Sequence, residues 1–179
     1  MTKEVIGIVG TIAAGKDTAG DHISDVLHIP TFQISSPLKQ ICIEMGVEPT
    51  RDRLIALGTQ LAEKHGDAYL AEYILGRMPD RAVITGMRQI GQIALLKESS
   101  DLKIVSLDAD SLIRFERAKK NNKLGEALTP EEFVANELAE NSEPNAQRLF
   151  EVMDLADYQL MNEGTIEELY TQIDSIFSN

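Results

Sequence analysis

The chain has a single cysteine, no tryptophan, and only four tyrosines and five phenylalanines in 179 residues. With Cys42 alone, no intrachain disulfide and no cysteine-based metal cluster can form, which points to a reducing compartment. His22, His28 and His65 are scattered, without the H-E-x-x-H spacing of a metal site, and read as structural or surface residues. Basic residues are scarce: 17 Lys and Arg stand against 29 Asp and Glu, a formal net charge of −12. That balance disfavours long nucleic acid, which draws on clustered basic side chains to displace counterions. A small anionic partner stays open, because a few basic residues can be gathered at one cleft. No apolar run approaches membrane-spanning length, and the N-terminus leads straight into a strand pattern without the regions of a signal peptide. The expectation is a soluble cytoplasmic protein with no membrane partner, either monomer or homodimer. Composition is otherwise that of an ordinary globular domain, 43% hydrophobic and 26% charged, and the length suits one domain.

The stretch from Val5 to Thr18 is the most informative part of the chain. Val5-Ile6-Gly7-Ile8-Val9 is a β-branched run of the kind that forms a strand buried on both faces. Gly10 and Gly15 then permit a tight turn in which successive amides point inward at an anion. Lys16 adds a point charge, and a helical pattern with Ile23, Val26 and Leu27 begins at Asp17, so that a helix N-terminus faces the same anion. The spacing Gly10-x-x-x-x-Gly15-Lys16 is that of a phosphate-binding P-loop, with Asp17 where Ser or Thr usually follows the lysine and Thr18 one place later.

Downstream, strands alternate with helices. Ile29–Ser35 reads as a second strand, Ala82–Gly86 as a third, Leu102–Leu107 as a fourth and Tyr158–Asn162 as a weak fifth. Between the second and third lies a largely helical arm, starting at Ser35-Ser36-Pro37 with Leu38, Ile41, Cys42 and Met45 as its first apolar face. Leu54, Leu57 and Leu61 mark another helix. After the fourth strand, Asp108 and Asp110 precede a helix bearing Arg114 and Arg117 one turn apart, which places both on one face. Asn121–Leu128, with Gly125, reads as the tip of a lid, Thr129-Pro130-Glu131-Glu132 as the cap of a returning helix, and Asn141–Asn145 as its break. Thr165 caps a closing helix. The alternation predicts an α/β fold of three layers, α/β/α, with a five-stranded parallel sheet and ligands at the carboxyl ends of the strands.

With these pieces placed, the chain resembles the P-loop nucleoside and nucleotide kinases, the superfamily of nucleoside monophosphate and dephospho-CoA kinases. The resemblance rests on Gly10–Thr18, Ser35–Lys39, Thr85-Gly86-Met87-Arg88 with Gln92, and Ala156-Asp157-Tyr158 through Asn162-Glu163-Gly164-Thr165. The Gly15-Lys16-Asp17-Thr18 form of the loop is similar to that of deoxynucleoside monophosphate and phosphomevalonate kinases. It implies one P-loop kinase domain over residues 1–179, with a core of about 1–35, 80–113 and 148–179, an acceptor arm of about 36–79 and a lid of about 114–147. It also implies ATP and Mg²⁺ as cofactors and a small nucleotide as partner. Gly10 and the amides of Ala13, Ala14, Gly15 and Lys16 would then hold the phosphates, Asp17 and Thr18 the Mg²⁺, and the loop at Asn162 and Gly164 the adenine. Lys16, Arg88, Arg114 and Arg117 would be catalytic, Arg88 on the acceptor phosphate and the other two arginines on the transferring group. Two positions depart from the pattern: Thr85 stands where related kinases commonly carry an acid, and Gln92 where some carry Glu. Asp108 or Asp110 could supply the missing carboxylate, and a nucleotide-binding regulatory module without catalysis is the alternative reading.

Overall fold

The first apolar run becomes the central strand. In the computed structural model, which describes residues 2–124, 129–142 and 147–177, β1 (Lys3–Gly10) lies between β3 (Arg81–Thr85) and β4 (Ser100–Asp108). The edges are β2 (Thr31–Gln33) and β5 (Tyr158–Met161), giving the order β2-β3-β1-β4-β5 with every pairing parallel. The expected five-stranded parallel sheet is therefore the one observed. Its register sets Ile8 beside Thr85 on one side and Gly10 beside Leu107 on the other, so the loop after β1 emerges at the carboxyl ends of both neighbours. Ligands of open parallel sheets bind at that edge.

Period-two alternation divides the strand side chains between two helical layers. Ile8, Val83 and Val105 face α1 (Lys16–Leu27) and α9 (Ile166–Phe177), burying Ile23, Leu169 and Ile173. Val5, Val9, Ile84 and Ile104 face the other way. They pack with Leu70 and Ile74 of α4 (Tyr69–Leu75), Ile93 and Leu96 of α5 (Ile90–Ser99) and Val152 of α8 (Leu149–Asp154). α9 opens on a capping box in which Thr165 Oγ1 accepts from Glu168 N and Glu168 Oε2 accepts from Thr165 N.

The arm between β2 and β3 departs from its sequence reading in packing rather than in helicity. α2 (Ser36–Glu44) buries Leu38 and the free thiol Cys42, but it ends one residue before Met45, which is 67% exposed. α3 (Arg51–His65) has no fully buried residue; Leu54, Leu57 and Leu61 are half-buried, because part of the inner face of the helix borders a cavity.

Two further helices pack over the loop after β1. α6 (Ser111–Lys120) is capped by Asp110, whose carboxylate accepts from Leu112 N at 2.9 Å, and α7 (Pro130–Glu140) by the Thr129–Glu132 capping box. Phe115 and Phe133 meet edge to face, centroids 6.0 Å apart, in a small cluster with Ile12. The lid tip at Gly125, and Glu143 to Asn145 of the expected helix break, lie outside the described residues. No helix among the described residues is long and apolar enough to cross a membrane.

Candidate active site

Backbone geometry makes the loop after β1 a cradle. Gly10 has φ +148° and a Cβ there would lie 2.1 Å from the Leu107 carbonyl oxygen, so only glycine permits β1 and β4 to close on each other at this point. Gly15 is the left-handed N-cap of α1, φ 104°, and offers no side-chain cap, which leaves the first-turn amides of that helix open. Ala13 is also left-handed, φ 60°, an uncommon conformation for a residue with a Cβ. The turn is locked from outside: Asn162, buried after β5, donates from Nδ2 to the Ala14 carbonyl at 2.8 Å, while its own amide bonds the Asp108 carbonyl. The Ala14 amide bonds Thr11 O at 3.3 Å, so this expected phosphate donor serves to close the loop instead.

Lys16 curls over the loop and donates from Nζ to Thr11 O at 2.6 Å. Burial, then the neighbouring Arg88 charge, pushes its pKa down to about 7. A lysine in that condition holds its proton weakly until an anion arrives. Asp108, at the end of β4, accepts from Thr11 Oγ1 at 2.6 Å and from the Ala109 amide at 2.9 Å, so it braces the base of the loop.

Two cavities meet at this lysine. The first, about 540 Å³, runs from the loop toward the arm and is bordered by Gln33, Lys39, Arg51, Leu54, Arg88 and Gln92, among others. The second, about 520 Å³, lies over the start of α1 and is bordered by Gly15, Thr18, Arg117, Asn162, Gly164 and Leu169. Ala13, Lys16, Asp17 and Lys123 border both. Thus Lys16, Asp17, Thr18, Asn162 and Gly164, which the sequence grouped as one site, are brought together.

In the first cavity Arg88 follows Gly86 off the end of β3. Gln92, 3% exposed, accepts from Arg88 N at 2.9 Å and from Gln89 N at 3.2 Å, so this side-chain amide is a backbone brace. The Arg88 side chain contacts Gln147 and lies 3.5 Å from Glu140 Oε2; burial, then the Arg51 charge, lowers its pKa from the usual arginine value. Arg51, the first residue of α3, grips the same Glu140 with three contacts of 2.6, 2.7 and 2.9 Å. Arg51 and Glu140 were not singled out from sequence; their partnership spans 89 positions and leaves no local signal.

The structure does not bring Arg114 and Arg117 to one cavity. Arg117 donates to the Asn162 carbonyl at 2.7 Å at the edge of the second cavity. Arg114, 6% exposed, borders neither cavity. It bonds Glu137 of α7 through both carboxylate oxygens at 2.9 and 3.0 Å, and also Ala109 O and Ile12 O. Glu137 in turn accepts from the Ile12 amide at 3.0 Å. The expectation that Arg114 faces the transferring group is corrected: a buried carboxylate from the returning helix outcompetes the cleft for it, and the pair clamps the loop.

Thr85, the departure at the end of β3, is buried; a Cβ on Gly20 of α1 would lie 3.0 Å from its methyl. A small side chain there permits close packing of α1 on the sheet. Asp17 is exposed in the first turn of α1 with its carboxylate 3.1 Å from Lys123 Nζ. Among the described residues no three His, Cys, Asp or Glu converge as a metal site. Such a donor set fits Mg²⁺ only in its usual nucleotide-borne form, held by phosphate oxygens with one or two protein oxygens.

No family model matches the chain. Its relatives include UPF0200 proteins of Hyperthermus butylicus, 28% identical over 97% of this chain and 93% of that protein, and of Methanocaldococcus jannaschii, 25% identical over 96% and 88%. Similar solved structures include shikimate kinase from Acinetobacter baumannii in complex with shikimate, TM-score 0.62 and 21% identity over 99% of this chain and 95% of that one. APS kinase CysC of Mycobacterium tuberculosis, in complex with AMPPNP and APS, superposes with TM-score 0.59 and 13% identity over 99% of each chain. The chain therefore has the α/β fold of the P-loop kinases.

Proposed function

We propose that the chain is an ATP-dependent phosphotransferase acting on a small phosphorylated acceptor, a nucleoside or deoxynucleoside monophosphate first among them, with dephospho-CoA or phosphomevalonate as alternatives. The observation that carries this reading is the meeting of two cavities of similar size at one lysine, the first bordered by Arg51 and Arg88 and the second by Arg117. A nucleotide in the cavity over α1 would place its base beside Asn162 and Gly164 and its phosphates on the open amides of the α1 N-terminus, with Arg117 on the transferring group. Arg88 would hold the acceptor's phosphate in the other cavity. An acceptor oxygen then attacks the γ-phosphorus as the bond to the β–γ bridging oxygen breaks, and the Lys16 ammonium follows the charge that accumulates on the leaving ADP. Asp17 and Thr18 are the residues that would hold Mg²⁺, which when bound neutralises phosphate charge. Packing of α6 and α7 over the loop would keep water from competing with the acceptor.

Structural neighbours that include shikimate and APS kinases support the general part of this reading, ATP-dependent phosphotransfer to a small molecule. A coupled ADP-release assay over nucleoside monophosphates, dephospho-CoA and phosphomevalonate tests it: one acceptor should stimulate turnover, and no stimulation in folded protein would sink it. A second reading, a nucleotide-binding regulatory module, is favoured by Thr85, which leaves the end of β3 without a carboxylate. It expects ATP binding that no acceptor changes.

A further inference from the structure

We propose that Glu140 is a specificity residue that works by internal competition: its carboxylate occupies the Arg51–Arg88 pair and yields only to a ligand whose anion outbids it. The inference rests on the acceptor side of the phosphotransferase reading. Three elements converge here, the start of α3, the end of β3 and the last residue of α7. Glu140 is 17% exposed and Arg88 24%, so both are largely withdrawn from water, and the two arginines that Glu140 contacts border the cavity where the acceptor would sit. The carboxylate is gripped by the Arg51 fork at 2.6 to 2.9 Å and reaches Arg88 only at 3.5 Å. Glu140 thus contacts two guanidiniums and reaches the second only at 3.5 Å, where Arg88 relies also on the neutral Gln147 and on the more distant Glu137 charge.

A phosphoester corrects this imbalance. It carries close to two charges near neutral pH and three terminal oxygens, enough to give each guanidinium its own charge-assisted bonds. A monoanionic carboxylate offers only what Glu140 already provides. Because Glu140 is tethered, its effective concentration at the arginines is in the mM range, which a free carboxylate at lower concentration cannot match. The pair therefore selects phosphorylated acceptors over carboxylates of similar shape, and releasing Glu140 makes the departure of the α7 terminus part of acceptor binding. If Glu140 holds the site in about nine-tenths of molecules, removing its charge tightens anion binding about tenfold.

The test follows the side-chain Nε–H resonances of Arg51 and Arg88 by NMR in the full chain while inorganic phosphate or acetate is added, which separates this site from phosphate bound at the loop. In the wild type, phosphate should move both resonances and acetate at equal concentration neither. Glu140→Gln should bind phosphate about tenfold more tightly and should now respond to acetate. Unchanged or weaker phosphate binding in folded Glu140→Gln, or equal response to acetate in the wild type, would overturn the proposal. Should Glu140→Gln fail to fold, Glu140→Asp, which withdraws the carboxylate by one methylene, should give a smaller gain, and the wild-type comparison stands without any variant. Transfer from ATP is measured on the same samples. Expected anion responses without transfer would sink the phosphotransferase reading alone, and transfer with a flat Glu140 response would sink this inference alone.

Discussion

Removing Glu137 while keeping Arg114 should unfold the protein at a much lower temperature. The two side chains are 7% and 4% exposed and bond each other at 2.9 Å. Glu137→Ala leaves the Arg114 charge buried against the backbone carbonyls of Ala109 and Ile12, and leaves the Ile12 amide without its acceptor. Stranding one member of a buried ion pair costs about 3–5 kcal/mol. For a chain of this size, at about 2–4 °C per kcal/mol, the melting temperature should fall by about 6–20 °C. Glu137→Leu combined with Arg114→Met removes both charges at once, so its loss should be smaller than the sum of the single losses by about 2–3 kcal/mol. Thermal and guanidinium unfolding followed by circular dichroism measures all of these. A Glu137→Ala variant within about 1 kcal/mol of wild type, or strictly additive losses, would refute the clamp and return Arg114 to the cleft.

Four further outcomes follow from the site. Lys16 has a folded pKa of about 7 against an ordinary 10.5, so the unfolded chain binds the extra proton between those values and stability should rise with pH across that window, a slope that Lys16→Met abolishes. For the same reason, ATP binding at pH 8 should take up about one proton, read as a buffer-dependent heat in calorimetry and absent from Lys16→Met. Asn162→Ala strands the buried Ala14 carbonyl and should destabilise by about 1–3 kcal/mol while weakening nucleotide binding, checked by unfolding and by titration. Arg88→Ala should raise the acceptor KM roughly ten- to hundredfold and leave ATP affinity nearly unchanged; equal loss of both would contradict separate subsites.

What could be read before folding was whatever sits within one turn or one strand of its cause. The apolar run from Val5, the glycines at 10 and 15 and the lysine after them are contiguous, so loop, strand and helix were legible together, and alternation of strands with helices gave the parallel sheet. Capping at Thr129 and Thr165 was legible because a capping box is written in four residues. Pairings across the chain were not. Arg114 carries the same sequence signature as Arg117, and only the arrival of Glu137, 23 positions later, consigns one to the interior. Arg51 and Glu140, 89 positions apart, carry no local signal of the ion pair in which the fold sets them face to face. Leu54, Leu57 and Leu61 have the period of a buried face but only half-bury, since periodicity reports which side is apolar and not whether that side meets a core or borders a cavity.

We propose that two ligands meet over Lys16 and exchange a phosphoryl group. The decisive measurement is a single-turnover experiment with ATP labelled at the γ-phosphorus and a panel of phosphorylated acceptors. The label should appear covalently on one acceptor, with none transferred by Lys16→Met. Label that remains in ATP with every acceptor of the panel, or passes to water at a rate no acceptor alters, would contradict it.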